Sequence, residues 1–513
     1  MTRHTAVASI GAVLVVGGLL FGASTVRTAD PLPSPIVVAS PVIASPEPPV
    51  SACTVTIQHL VDAATAGGQV VVPRCLARET VFINKPLTLR GSPGSEIRGS
   101  DAWTSWTPSG GDWRSARAIP TLPGGGTCRS GQGCQNPEQV SIDGVPAVRV
   151  RANPAAGEFA VDQKRRVILG GDPAGHLVEV TVRDAWVVIA APDVTVTGFS
   201  MRDAANLPQT GAIRNLAGAG NDVVTGNVLA YAHGADVALD FGNHNVISDN
   251  DIGFGGQLGI HLGGDGTPSD GHGNVVRGNR IHDNNIAGFD PEWEAGGLKA
   301  TVQTDLLIED NEVEDNAGPG LWCDIYCRRT VYRANLVHDN SYAGIMEEVS
   351  YNGLITGNAV WNNGYGKASW GWGAGILVSS STGTEVSNNT LAWNARSGVS
   401  IISQNRRDWP DVKLPTGIYV HDNVTAVSVP NTYGEFWGED FGGSLFSADQ
   451  NNHGSNNRFW FAFPEAGNWR FAWNGNFGAL ADFARTPAGP GDSYLTDAQK
   501  DTILAAAGVP AAP

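Results

Sequence analysis

Positive charge is scarce in this chain. Its 513 residues hold 33 Lys and Arg against 50 Asp and Glu, a formal net charge of −17. That balance argues against a nucleic-acid partner and against unaided binding of polyanions, both of which favour basic grooves. Neutral glycans, or acidic ones bridged by calcium, pass the same test. Long amphipathic helical patterns are missing before the C-terminal tail, whereas 65 Gly and many Asn and Asp fit turn-dense β structure. Only six Cys occur, in near pairs: Cys53 with Cys75, Cys128 with Cys134, and Cys323 with Cys327. In an exported chain these read as three disulfides. A metal site at Cys323-Asp-Ile-Tyr-Cys327 is the rival, but it lacks the second thiol pair or His that zinc requires, and no metal ligand is assigned. No motif points to a specific protein partner.

Long apolar runs are equally rare. The one that stands out, Thr5 to Ser24 behind Met-Thr-Arg-His, reads as an export signal. An uncleaved membrane anchor is the alternative, since the run nears the roughly 18 to 20 residues that span a bilayer. Either way the chain is expected to be secreted, or held at the cell surface through this segment alone. Pro and Ser then dominate up to Val50, a stiff spacer without periodicity. The expected layout is therefore 1–29 signal or anchor, 30–50 linker, 51–430 a coil with an excursion at about 100–165, and 431–513 a capping region.

What is present in abundance is a repeat. Asn227, Asn250, Asn279, Asn311, Asn335, Asn358, Asn389 and Asn423 recur about 23 to 34 residues apart, a solenoid period. An apolar residue sits two places after most of them, such as Ile252, Ile281, Val313 and Val337. A second Asn follows five residues later, at Asn284, Asn316, Asn340, Asn363 and Asn394. Alternation about a fixed Asn indicates short strands with one face buried. Asn tolerates the left-handed conformation a sharp corner needs, and its amide can bond the same amide one layer away.

The N-terminal Ile57-Gln-His-Leu-Val-Asp-Ala-Ala helix pattern, followed by short strands at Gln69 and Val81, suits the cap an open-ended solenoid needs. A second short helix with N-cap Thr496 and terminal Gly508 suits the far end. With the Asn-marked turns, this opening resembles the right-handed parallel β-helix proteins of the pectin lyase-like superfamily. Those are mostly polysaccharide lyases, glycoside hydrolases and uronan epimerases. The resemblance implies an all-β fold, a single-stranded right-handed parallel β-helix with N-terminal helical and C-terminal caps. Trp103, Trp106 and Trp113 break the rhythm; they form either the small core of the excursion or a surface that stacks on sugars.

Chemistry is sought on the strands that open with Gly259, Gly288, Gly320, Gly344 and Gly398. Side chains alternate along a strand, so the second and fourth positions after each Gly should point outward. The outward set is His261, Asp290, Glu292, Trp322, Asp324, Met346 and Glu348, with Asp240 one turn earlier. Neighbouring strands lie about 4.7 to 4.9 Å apart, which brings Asp324 and Glu348 to roughly the spacing of paired catalytic carboxylates facing solvent. Paired acids whose pKa values are pushed apart can act as acid and base.

Register is ambiguous at Asp290-Pro-Glu-Trp-Glu-Ala-Gly-Gly-Leu-Lys299. Counting forward from Asn279 sets Glu292 beside Asp324, while counting back from Asn311 sets Lys299 beside Trp322. The pieces Gly-Gly-x-Lys, Gly-x-Trp-x-Asp and Gly-Ile-x-x-Glu resemble a pattern of bacterial secreted β-helix proteins between Asn279 and Gly364. The polygalacturonase set is absent, and Gly271-His-Gly273 stands alone in a turn. The leading expectation is a glycoside hydrolase on a polymeric or oligomeric glycan. Asp324 and Glu348, or its neighbour Glu347, are its catalytic residues. Trp322 is the sugar platform, Lys299 a hydroxyl or carboxylate contact, and His261, Asp290, Glu292 and Glu294 line the groove. A uronan lyase or epimerase is the alternative, with calcium on Asp240, Asp265 or Asp270 supplying missing cations. A non-catalytic glycan-binding or adhesion module is the other. No other cofactor is expected.

Overall fold

A computed structural model of the protein describes residues 50–263, 271–366, 370–404, 415–441 and 443–512. The export segment, nearly all of the linker, and Asp265 and Asp270 lie outside the described residues. Among the described residues no helix is long and apolar enough to cross a membrane.

Among the described residues strands stack into three long sheets of 12, 13 and 13 strands, parallel except where Asn476–Phe477 folds back on Phe471–Trp473. One coil shows the plan. Leu307–Glu309 lies in the first sheet, Glu312–Glu314 in the second and Leu321–Asp324 in the third. Each pairs in parallel with the matching strand of the next coil, as Ile308 with Tyr332, Val313 with Val337 and Leu321 with Ile345. Inward side chains from all three sheets form one continuous apolar core from Ile57 to Phe483. First- and second-sheet strands bury mainly their inner face. Those of the third sheet, such as Leu321–Asp324 and Ile345–Glu348, are buried on both.

The recurring asparagines are the corner posts between sheets. From Asn227 to Asn457 each Nδ2 donates to Oδ1 of the next, for example Asn311 to Asn335 at 2.9 Å and Asn335 to Asn358 at 3.0 Å. Every amide-to-amide donation runs toward the C-terminus. The last, from Asn457, goes to Glu435 Oε2 at 3.1 Å, while the Asn457 backbone N–H reaches Asp492 Oδ1 at 2.8 Å. A second row runs the same way from Asn284 through Asn316, Asn340 and Asn363 to Asn394. The left-handed residue at these corners is not the ladder Asn, as the sequence suggested, but the one before it: Asp310, Ala334 and Asn388 have φ of 56°, 55° and 56°. That residue turns the chain and so aims the amide into the core.

Glycine enters the third sheet for a different reason. A Cβ at Gly320 would meet the Gly344 carbonyl oxygen at 2.7 Å and Asn340 Nδ2 at 2.9 Å, and the same holds along Gly297, Gly344 and Gly375. The column runs through Gly297 and not Gly288, whose φ of 78° places it in a preceding turn.

The N-terminal helix Ile57–Ala63 is N-capped by Thr56 and buries Ile57 and Val61 against the first strands; the Cys53–Cys75 disulfide ties it down. Coils persist beyond residue 430, through Tyr433–Asp440, Arg458–Phe461 and Ser493–Tyr494. The far end is closed by Leu480–Phe483, where Phe483 stacks on Phe471. The last helix, Asp497–Ala506, has a capping box of Thr496 and Gln499. It lies outside the second sheet, where Leu504 packs with Ala359, Trp361 and Trp393.

The excursion extends further than expected. Val178–Thr181, which reads as a resumed coil strand, instead pairs antiparallel with Ser100–Ala102 and Val140–Ile142. Trp103, Trp106 and Trp113 pack within the excursion's own core. Its loop around the Cys128–Cys134 disulfide returns to the coil, where Thr127 O accepts from Asp290 N at 2.9 Å and Arg129 N donates to Gly288 O at 3.0 Å.

Asn335 makes four hydrogen bonds to other layers: it donates to Ile308 O and Asn358 Oδ1 and accepts from the N and Nδ2 of Asn311. Asn335→Ala should therefore lower unfolding free energy by about 2 to 4 kcal/mol. Leu336→Ala, one residue on and 39% exposed, should stay within about 0.5 kcal/mol; urea titration of the two variants checks the difference.

Candidate active site

The third sheet carries two outward columns. One runs His261, Lys299, Trp322, Met346 and Leu377 in register. The other lies two residues on and holds Asp240, Thr301, Asp324, Glu348 and Ser379. Lys299 pairs with Trp322, so counting back from Asn311 gives the true register. Asp324 and Glu348 sit one place beyond the paired Cys323 and Glu347 and are strand neighbours, about 4.8 Å apart at the backbone.

Both columns point away from the coil yet are not open to solvent, in contrast to the expected exposed groove. Lys299, Trp322, Asp324 and Glu348 are 4%, 4%, 6% and 2% exposed. Burial of this many charges demands pairing, and the structure supplies it as an alternating row. Asp240 Oδ1 lies 2.7 Å from His261 Nδ1, and His261 Nε2 lies 3.1 Å from Glu294 Oε1. Lys299 Nζ is 3.9 Å from Glu294 Oε2 and 3.0 Å from Asp324 Oδ2. The same ammonium sits 3.6 Å from the centre of the Trp322 ring, a cation–π contact. Gln209 adds a donor to Glu294 Oε2, and Gln257 Nε2 holds the Glu294 carbonyl at 2.7 Å.

The protonation states follow. Burial opposes a charge on His261, but Asp240 and Glu294 outweigh it and raise its pKa to about 10. Burial likewise opposes ionisation of Glu294, and Lys299, His261 and Gln209 reverse this to about 2. Lys299, disfavoured as a cation by burial, is raised by Glu294, Asp324 and Glu348. At neutral pH His261 and Lys299 are thus cations and Glu294 is an anion, so neither His261 nor Lys299 is a free base.

Two backbone corners follow the acids directly. Ile325 has φ 48° and Val349 φ 49°, a left-handed conformation that β-branched residues rarely adopt. The same corner recurs at Val302 and Ser380, with φ of 57° and 50°, so it is the regular turn out of the third sheet, and it leaves both acids at the sheet rim. The Cys323–Cys327 disulfide closes the first of these corners.

Other expected residues lie elsewhere. Glu347 is the third residue of its strand and points inward, as alternation requires. It is fully buried, and the Tyr332 hydroxyl donates to its Oε2 at 2.8 Å. It therefore does not share the outward face of Glu348. Asp290 caps the short helix Pro291–Glu294 by accepting from Glu292 N, and Glu292 is exposed on that helix. Neither joins the columns, because the helix is inserted ahead of the strand Gly296–Thr301; Glu294 alone reaches back into the row. Gln209 was missed, since it belongs to a loop outside the repeat. Asp240, named for calcium, is instead held by His261 and by Gly263 N at 2.7 Å.

Among the described residues the one carboxylate and imidazole set with metal-ligand spacing is Glu312, Glu314 and His338, on the second sheet. Burial lowers the His338 pKa, but Asp339, Glu314 and Glu312 raise it overall, and Arg280 pairs with Glu314. These contacts make it an ion-pair network.

Residues 212–391 match the family described as "Right handed beta helix region". This chain folds as a right-handed parallel β-helix. Two solved structures share the β-helix with it. The structure of XylC with xylose aligns at a TM-score of 0.57 and 16% identity, covering 81% of this chain and 82% of that one. The A-module of the Azotobacter vinelandii mannuronan C-5 epimerase AlgE4 aligns at 0.50 and 10% identity, covering 86% and 95%. No curated protein matches this β-helix by sequence.

Two consequences can be measured. Lys299→Met leaves Glu294 and Asp324 buried without their shared cation, so it should cost about 3 to 5 kcal/mol in chemical denaturation. Glu347 tests the interior. Burial pushes its pKa up to about 8 from an ordinary 4.5, with Tyr332 opposing. The folded state thus keeps a proton that the unfolded chain releases, and the native protein loses stability as pH rises from 4.5 to 8. Glu347→Gln should be near neutral at pH 4 and increasingly stabilising, relative to the native chain, toward pH 8; melting temperatures across that range check it.

Proposed function

We propose that this β-helix is an exported glycoside hydrolase acting on a polymeric or oligomeric glycan, with Asp324 and Glu348 as its working carboxylates. One observation carries the reading. Asp324 Oδ2 is fixed by Lys299 at 3.0 Å, while its Oδ1 is buried and has no hydrogen-bond partner among the described residues. A carboxylate with one oxygen locked and the other unengaged suits a nucleophile or base, and Glu348, in the next strand, suits the general acid. Lys299 and Glu294 hold Asp324 in place, His261 and Asp240 hold Glu294, and Trp322 forms the adjoining wall.

The protonation states favour hydrolysis over elimination or epimerisation. A lyase or epimerase needs a base for the proton beside a uronate and cations for its carboxylate. Here His261 is raised to about 10, and both cations already face carboxylates of the chain. The fold's other members agree with a sugar ligand: XylC binds xylose, and the AlgE4 module is a mannuronan C-5 epimerase. Three disulfides suit an exported chain.

Purified protein incubated with a glycan panel should release new reducing ends without the absorbance of unsaturated uronate. Asp324→Asn and Glu348→Gln should each lower turnover by at least about 10². Strand-neighbour carboxylates near the roughly 5 to 5.5 Å of retaining enzymes leave no room for an intervening water, so NMR should find the first product with retained anomeric configuration. Full activity in Asp324→Asn would move the reading to a binding module.

A further inference from the structure

Two buried polar atoms on the strand Leu321–Asp324 have no partner among the described residues: the indole Nε1 of Trp322 and Oδ1 of Asp324. Both residues are more than nine-tenths buried and lie on the same outward face two residues apart, about 6.6 Å along the strand. Buried groups of this kind are nearly always satisfied in folded proteins. The indole is a donor only and the carboxylate an acceptor. Together they frame a ligand that offers a lone pair at one end and a hydroxyl proton or an electrophilic carbon at the other, which one sugar ring with its hydroxyls provides.

Charge narrows the class. Among the described residues, four carboxylates stand around this strand, Asp240, Glu294, Asp324 and Glu348, against two cations, His261 and Lys299. Each cation is held between carboxylates of the chain. A ligand carboxylate would meet uncompensated like charge, or would have to draw Lys299 or His261 away from buried partners. An uncharged ring meets neither obstacle.

We infer that the site takes a neutral sugar in preference to a uronate, and that the Trp322 N–H is a specificity-determining donor to one of its hydroxyls. The inference rests on the hydrolase reading above and deepens it.

The test is binding of the full chain, by calorimetry and saturation-transfer NMR, to two probe sets. One comprises xylo-, gluco-, galacto- and manno-oligosaccharides; the other comprises oligogalacturonates and oligomannuronates, with and without calcium chloride. The expected result is binding of at least one neutral series and at least tenfold weaker binding of every uronate in either buffer. Trp322→Phe keeps a ring beneath Lys299 and removes the N–H, and should weaken the neutral ligand about tenfold with its melting curve still cooperative. Uronate binding equal to or tighter than neutral binding overturns the inference and leaves a glycan enzyme at this site standing. Unchanged affinity in Trp322→Phe overturns the role of the indole. Failure of both probe sets to bind or to be cleaved overturns the inference and the hydrolase reading together. The neutral-to-uronate ratio of the native chain decides the charge argument even if the variant does not fold.

Discussion

From Asn227 onward each coil of this chain buries asparagine side chains, and the hydrogen bonds between those amides are the constraint on which the other features depend. A β-helix corner must leave one sheet and enter the next while the backbone carbonyls inside it remain satisfied. The ladder amides do this twice over, since Asn335 Nδ2 serves both Ile308 O and the next amide. They fix the height of each layer, and fixed height sets the parallel register. Register then brings residues from distant parts of the chain into columns. The glycine column follows as well, because the second Asn row approaches the third-sheet backbone too closely for a Cβ.

The site exploits what this scaffold offers. A solenoid can stack any residue above any other once the register is set, so opposite charges can be interleaved along a column and its neighbour. The row from Asp240 to Asp324 alternates sign at each step, and only such alternation lets four or five ions share a dry environment. The short helix Pro291–Glu294 is essential here, since it delivers the central carboxylate from outside the repeat. The excursion loop that hydrogen-bonds to Gly288 and Asp290 supports that helix from the other side.

Much of this was legible in the residues themselves. The Asn period marked the coils, the two-residue alternation separated inward Glu347 from outward Glu348, and the paired Cys gave all three disulfides. What escaped was where the repeat is interrupted. An insertion between Asn279 and Asn311 shifts every residue before it, and a periodic pattern cannot say on which side of the insertion register resumes. Asp290 and Glu292 were misplaced for that reason. Val178–Thr181 alternates like any coil strand, and its antiparallel partners lie in a segment with no repeat to betray them. Burial of the outward columns was also hidden, because third-sheet strands carry charged residues that ordinarily signal solvent. The pairing that makes those charges tolerable is between coils and leaves no local signal.

The asparagine ladder has one more property. Every amide gives one proton to the next amide and accepts on its Oδ1 from the one before, so the amide-to-amide bonds run one way and their two ends are chemically unlike. At the start, Asn227 Oδ1 accepts from the Phe199 backbone N–H; at the finish, Asn457 gives one proton to Val420 O and the other to Glu435 Oε2 in place of a further amide. The length of the coil is therefore open to change by whole layers, each new one inheriting a donor and passing one on. The direction is not. A layer spliced from either interior position would fit at any other, but the terminal pieces cannot exchange places, because only one of them can end a chain of donors.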